Sequence, residues 1–263
     1  MNIRIATWNI NSVRLRLDLL ARLEKEFQPD IICLQETKVQ DEFFPNDEIS
    51  KLGYRHVVYS GEKSYNGVAI LSKQPIRDKF EIYLCNNDKR HICAKIGDFE
   101  LHNFYIPAGG DEPDIEINPK FKHKLNYLRE MDEWFAKNRL KNDKVILVGD
   151  LNIAPLENDV WSSKQLKNVV SHTQVEREGL MKIINDFEFI DTGRKFVDPS
   201  TKLYSWWSYR NKDWKKHNRG RRLDHIWVSK PLKLRLNGIT CPPEIRDWDR
   251  PSDHVPFMLD LKI

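Results

Sequence analysis

The run Val145-Ile146-Leu147-Val148-Gly149-Asp150-Leu151-Asn152 reads as a buried strand that breaks at a glycine and at once presents a carboxylate and a carboxamide. The arrangement recurs along the chain. Asp30-Ile31-Ile32-Cys33-Leu34-Gln35-Glu36 ends a second apolar run on a carboxylate, and Ile3-Arg4-Ile5-Ala6-Thr7-Trp8-Asn9 ends a third on an amide. Ser252-Asp253-His254 precedes the last apolar segment. Acids, amides and a histidine delivered at strand ends are what a hydrolytic site built on a hard divalent metal requires.

Asn9, Asn11, Glu36, Asp150, Asn152, Asp224 and Asp253 all fall at or just beyond expected strand ends. Asp and Asn are also good turn residues, so each has an ordinary structural explanation when taken alone. Glu36 has less of one, because Glu is not a favoured turn residue and it directly follows a buried run. Oxygen donors gathered in this way suit Mg²⁺ or Mn²⁺, which bind few carboxylates and keep water for chemistry. Of the eight histidines, His56, His91, His102 and His225 lie in strand patterns and read as packing residues. His123, His172 and His217 lie in polar stretches and read as solvated. His254 instead sits between an acid and the terminal apolar segment. There an imidazole held by a carboxylate stays protonated at neutral pH and binds a phosphate oxygen. Tyr105 closes another apolar run ahead of Pro107, either as a core tyrosine before a turn or as a phenol aimed at a phosphate oxygen.

The elements that must position these residues are strands over 3–9, 31–35, 54–59, 66–72, 91–96, 100–106, 144–149, 224–229 and 255–262. Each is rich in Ile, Val, Leu or aromatics and is punctuated by Gly, Asn, Asp or Pro. One helix is expected after Asn11-Ser12 as its cap, with Leu15, Leu19, Leu20, Leu23 and Phe27 on one face and Pro29 closing it. A second opens at Asn118-Pro119 and buries Phe121, Leu125, Leu128, Trp134 and Phe135. A third covers roughly residues 174–186. No repeat, linker or low-complexity tract divides the chain, so one α/β domain over 1–263 is expected, with two mixed sheets packed face to face and helices outside.

Between 202 and 222, Tyr204, Trp206, Trp207, Tyr209 and Trp214 interleave with Arg210, Lys212, Lys215, Lys216, Arg219, Arg221 and Arg222. Basic side chains neutralise phosphates and aromatic faces stack on an exposed nucleoside, which makes this the candidate nucleic-acid surface. The alternative is a solvated basic loop with Trp206 or Trp207 in the core. Composition permits such a partner: the charged fraction is 31%, but the net charge is only +4, so local distribution decides. Four cysteines, at 33, 85, 93 and 241, show neither paired metal-ligand spacing nor a disulfide framework. The first residues run directly into a strand, and no apolar run approaches the ~20 residues of a membrane span. A reduced, cytoplasmic protein is expected.

Six elements then occur in a familiar order: Trp8-Asn9-Ile10-Asn11-Ser12-Val13-Arg14, Leu34-Gln35-Glu36-Thr37-Lys38, Tyr105-Ile106-Pro107, Gly149-Asp150-Leu151-Asn152-Ile153-Ala154-Pro155, Arg222-Leu223-Asp224-His225 and Ser252-Asp253-His254. Together they resemble the exonuclease III family of apurinic/apyrimidinic endonucleases, within the endonuclease/exonuclease/phosphatase superfamily. The resemblance implies a four-layered α/β sandwich and a monomer that binds Mg²⁺ or Mn²⁺. It also implies cleavage of duplex DNA 5′ to abasic sites and trimming of 3′ ends. Glu36 is then the principal metal ligand, with Asn9, Asp253 and Asn11 nearby and Asp150, Asn152 and His254 bordering the ion. Asp150 matches the residue that deprotonates water, Asn152 its positioning neighbour, and Tyr105 a contact to the phosphate or leaving oxygen. His254 contacts a non-bridging oxygen, with Asp224 holding its ring. Arg14, Trp206, Arg210, Arg221, Arg222 and His254 are the implied DNA contacts. Two departures stand out: Ala108 where many relatives place Asn, and Arg210 and Arg221 where some carry apolar residues, which implies a more basic pocket. The nearest rival is another superfamily phosphoesterase, either a nonspecific nuclease or a phosphoinositide or sphingomyelin hydrolase.

Overall fold

The computed structural model describes residues 2–86, 88–211 and 213–262. Among them, twelve strands form two six-stranded sheets. The first sheet contains β1 (Asn2–Asn9), β2 (Ile31–Gln35), β3 (His56–Ser60), β4 (Val68–Ser72), β11 (Leu236–Thr240) and β12 (Phe257–Lys262), in the order β11-β12-β1-β2-β4-β3. The second contains β5 (Ile76–Phe80), β6 (His91–Ile96), β7 (Phe99–Tyr105), β8 (Val145–Asp150), β9 (Ile190–Asp191) and β10 (Asp224–Val228), in the order β5-β6-β7-β8-β10-β9. Both are mixed, and each has one parallel pair near its centre: β1 with β2 and β7 with β8.

Period-two alternation explains the layering. Ile3, Ile5, Ile31 and Cys33 of the first sheet face Leu101, Ile146, Val148 and Ile226 of the second, and all are buried in one core between the sheets. The intervening residues point outward. Ala6, Trp8, Ile32 and Leu34 pack under Leu19, Leu20 and Leu23 of helix α1 (Leu17–Phe27). Phe104, Val145, Leu147 and Trp227 pack under helices α2 (Pro119–Asn138) and α3 (Gln174–Phe187). The result is a four-layered α/β sandwich.

Several local expectations need correction. Asn11 and Ser12 do not cap a helix. Both adopt left-handed φ angles, +47° and +86°, and a short 3₁₀ turn (Arg14–Arg16) precedes α1. Leu15 therefore points into solvent. β5, β9 and β11, which the sequence pattern does not announce, all lie at sheet edges, where pairing on one side leaves less need for an apolar pattern. Asn118 does cap α2, accepting from the backbone N–H groups of Lys120 and Phe121. Cys33 is fully buried on the inner face of β2.

Candidate active site

The inner-face parity that builds the core also builds the site. Along β1, β2, β7 and β8 the residues turned toward the opposing sheet change from apolar to polar or acidic as the strands end. Above the apolar layer, Gln35 donates to the side-chain oxygens of Asn103 at 2.6 Å and of Thr7 at 2.9 Å. One step further, Asn9, Tyr105 and Asp150 continue the same faces, and Glu36 follows β2 directly. Parallel pairing brings these strand ends to the same edge of the sandwich, and Asp224, first residue of β10, sits across from Asp150 in register. Gly149 has φ +142°, and a Cβ there would lie 1.8 Å from the Phe104 carbonyl oxygen, so β7 can approach only a glycine.

Asp150 is the centre of the cluster. One carboxylate oxygen accepts from the backbone N–H of Asn152 at 3.0 Å. The other accepts from the side-chain amides of Asn9 at 2.9 Å and Asn152 at 3.2 Å. It also lies 3.7 Å from Nε2 of His254. The opposite ring nitrogen of His254 meets Asp224 at 2.8 Å, so the imidazole spans two buried acids. Burial opposes charge on this ring, yet the carboxylates of Asp224 and Asp150 outweigh it and hold His254 protonated well above the ordinary histidine range. Burial pushes Asp150 up, His254 draws it down, and the neighbouring charge of Asp224 adds to the rise.

Glu36 holds the other half. Its backbone has φ +51°, an uncommon conformation for a non-glycine residue at the end of a strand. It accepts from Asn9 at 2.9 Å and from the Tyr105 hydroxyl at 2.7 Å, and pairs with Lys38 at 2.7 Å. Burial acts to raise its pKa, but Lys38 and these hydrogen bonds prevail and keep it below the usual range. Tyr105 is itself driven well above its ordinary pKa, first by burial and then by the charges of Glu36 and Asp150, so the phenol keeps its proton. Lys38 also donates to Asn11 at 2.7 Å, and Asn11 donates to Asp253 at 3.2 Å. Trp206 donates to the other Asp253 oxygen at 2.9 Å. Asp253 thus joins the cluster through Asn11.

This geometry fits a hard cation. The donors around Asp150 and Glu36 are oxygens and amides, and one buried oxygen of Asp224 has no hydrogen-bond partner. Carboxylate oxygens of Asp150 and Asp224 lie within 4.8 Å of one another, while the protonated His254 between them offers no lone pair to a cation. The acid-rich mouth can hold a divalent ion by its oxygen atoms.

The aromatic and basic rim is divided by burial. Trp207 is in the core, whereas Trp206 is half-buried beside Asp253. Arg14 and Arg210 are exposed. Arg221 lies over the Trp206 ring at 5.3 Å and donates to Ser171 Oγ at 2.6 Å and to the Val170 carbonyl, which draws its charge inward. Lys212 lies outside the described residues. Arg222 corrects the sequence reading. It is fully buried and paired with Asp159 at 2.8 Å and Asp191 at 2.7 Å, so it offers nothing to a polyanion outside. His172 is a second correction: it is buried between Ser163 and the Ala154 carbonyl rather than solvated. Lys38 is the site residue that sequence reasoning passes over. Its place two residues after Glu36 is a signal, since a cation there faces the same pocket.

The sequence profile of the Endonuclease/Exonuclease/phosphatase family matches residues 6–254. Exodeoxyribonuclease III of Haemophilus influenzae is 31% identical over 271 residues, covering 98% of this chain and all of its own. An AP endonuclease from Archaeoglobus fulgidus superposes with a TM-score of 0.92 at 34% identity, over 99% of this chain and 100% of that one. A Neisseria 3′ phosphatase, NExo, solved with a product DNA hairpin, superposes with a TM-score of 0.90 at 31% identity over the same shares. With the strand-end acids, the His254–Asp224 pair and the four layers in place, the chain belongs to the endonuclease/exonuclease/phosphatase family and, within it, is a hydrolase of the exodeoxyribonuclease III type.

Proposed function

We propose that this protein hydrolyses phosphodiesters of duplex DNA in repair. It cuts 5′ to abasic sites to leave a 3′-hydroxyl, and it removes nucleotides and blocking groups from 3′ ends. The chain 1–263 acts as one domain and as a monomer. The observation that carries the reading is the line Asp150–His254–Asp224 at the mouth between the sheets, with Trp206 and Arg221 beside it.

Asp150 is the proton acceptor for the attacking water. Its carboxylate is oriented by Asn9 and Asn152, and burial raises its basicity toward that task. Attack is in line on phosphorus: the water oxygen bonds to phosphorus as the P–O3′ bond opposite it breaks, and the departing oxygen takes a proton from solvent to become the 3′-hydroxyl. His254, kept protonated by Asp224, donates to a non-bridging oxygen as negative charge builds there, while the Asn152 amide, bound to Asp150 and to the Ile106 carbonyl, holds the carboxylate that positions the water. Tyr105 lies against the phosphate or the leaving oxygen as a protonated phenol. Glu36, with Asn9, Asp150, Asn152 and, through Asn11, Asp253 around it, would hold Mg²⁺ or Mn²⁺, which would neutralise charge on the phosphoryl oxygens. Arg14 and Arg210 track the backbone, while Trp206 walls the pocket for the flipped sugar. Arg221 stiffens that wall from behind.

Asp150→Asn is expected to lower incision of an abasic duplex by about 10³-fold or more, and His254→Ala by about 10²-fold or more, with duplex affinity in chelator retained. Loss of the folded state in both would make them structural residues and remove the assignment.

A further inference from the structure

A buried ion pair lies directly behind this site, and none of the steps above uses it. Lys124 on α2 and Glu176 on α3 meet at 2.5 Å, with neither side chain exposed. The Lys124 ammonium also donates to the Asn152 carbonyl at 2.8 Å and to the Ala108 carbonyl at 3.2 Å. An ammonium has three protons, and three acceptors account for all of them. Glu176 does not depend on the lysine alone. It accepts from the backbone N–H groups of Ser171 and Thr173 and from the Thr173 hydroxyl, as the third-position partner of a capping box at the start of α3.

The two carbonyls held by Lys124 belong to the two loops that carry the chemistry. Asn152 follows β8 with φ +53°. Its N–H is bound to Asp150 and its side-chain amide to the Ile106 carbonyl at 3.0 Å, which leaves its own carbonyl to be anchored from below. Ala108 lies on the loop that leaves Tyr105. Gly109, beside it, has φ +90°, and a Cβ there would come within 2.8 Å of the Lys124 stem, so this loop is moulded around the lysine. On the other flank, Ser171 accepts from Arg221, the residue stacked on Trp206. A continuous set of contacts therefore runs from the floor under Asn152 to the wall of the pocket.

We propose that Lys124 is a positioning residue for hydrolysis: its ammonium ties the Asn152 and Ala108 backbones together and so fixes the gap between Asp150–Asn152 and Tyr105 in which the phosphate sits. This rests on the reading that those three residues act in the hydrolysis. Release of the tie lets the two loops drift, and a displacement of about 1 Å is enough to cost roughly 10²-fold in rate while leaving the binding surface intact.

The test compares wild type, Lys124→Met and Lys124→Gln on a duplex with one tetrahydrofuran site at saturating Mg²⁺. Asp150→Asn is the inactive reference, and thermal melting followed by circular dichroism reports folding. Because Glu176 keeps its other donors, both variants are expected to fold. Lys124→Met should lower kcat about 30- to 100-fold, with KM and the Kd for the uncut duplex within about 3-fold of wild type. Lys124→Gln, which keeps an amide donor, should recover at least about 5-fold of that loss. A folded Lys124→Met with kcat within about 3-fold of wild type, or a loss confined to KM, overturns the proposal. So does failure of both variants to fold, which would make the pair purely structural. A wild type that leaves the abasic duplex intact but trims 3′ ends sinks only the endonuclease reading, and the same comparison then runs on nucleotide release. A wild type inert toward both overturns the two readings together.

Discussion

Tyr105 and Arg222 show how burial decides the work of a polar side chain. The Tyr105 phenol is 8% exposed, donates to Glu36, and has Arg90 over its ring at 4.7 Å. Tyr105→Phe should lower kcat about 10- to 100-fold with little change in melting temperature, as removal of one preorganised donor does elsewhere. Steady-state incision rates check this, and a variant as fast as wild type removes the phenol from the chemistry. Arg222 is the opposite case. Arg222→Met leaves Asp159 and Asp191 without their shared partner and should cost about 3–5 kcal/mol in urea unfolding. Arg14→Ala and Arg210→Ala, both exposed, should stay within about 0.5 kcal/mol of wild type. Each should instead flatten the dependence of log duplex affinity on log salt by about 0.9 for every phosphate no longer neutralised. The sequence could not separate these arginines. Arg222 stands in the same basic run as Arg221, and its acidic partners lie 63 and 31 residues away.

At the level of elements, the strands that carry the site are legible because two signals coincide in them. An apolar run must be buried, and an acid or amide where it stops must face the mouth between the sheets. β8 is the clearest instance, with Ile146 and Val148 in the inter-sheet core and Asp150 next on the same face. The edge strands β5, β9 and β11 lack the first signal. Ile76–Phe80 carries Arg77, Asp78 and Lys79 between its apolar ends, a pattern that resembles a loop more than a strand. The left-handed turn at Asn11-Ser12 is also illegible, because its conformation is set by the Glu36 and Thr37 carbonyls that accept from Ser12 and Val13, not by its own residues. Gly149 shows how tightly β7 and β8 are drawn together. Gly149→Ala forces a methyl group against the Phe104 carbonyl and should cost about 3 kcal/mol or more, read from the urea midpoint. Stability unchanged by that substitution would mean the strands can separate at no cost.

Across the whole molecule, the order of layers and the convergence of six sequence motifs on one edge follow from alternation and strand order. The buried ionic groups behind them do not. Lys124, Glu176, Arg222 and His172 each look like surface residues in the sequence; Glu176 is drawn inside by its own capping box as well as by Lys124, and Lys124, Arg222 and His172 by partners elsewhere in the chain. The buried histidines also set how the fold responds to pH. Burial lowers His91, with His102 beside it adding to the effect; it lowers His102 against the pull of Glu100; and it takes His225 from 6.5 down to about 4. Between those folded values and 6.5 the unfolded chain binds protons that the fold refuses, so stability should fall on acidification below pH 6.5. Each histidine fully within that window contributes about 1.4 kcal/mol per pH unit. His254 acts with the opposite sign: its contribution is complete below 6.5 and is lost as pH rises toward its elevated folded value. Urea midpoints measured in chelator across pH 4.5 to 9 should therefore peak near neutrality, and a monotonic rise toward acid would contradict this balance. No helix among the described residues is long and apolar enough to cross a membrane. The repair assignment meets its sharpest test on a labelled duplex with one tetrahydrofuran abasic analogue, set against the undamaged duplex, with Mg²⁺ and with chelator. A single metal-dependent cut 5′ to the lesion, absent in Asp150→Asn, is the expected outcome. No cutting of either duplex by the folded protein would overturn the assignment and turn attention to lipid and nucleotide phosphoesters.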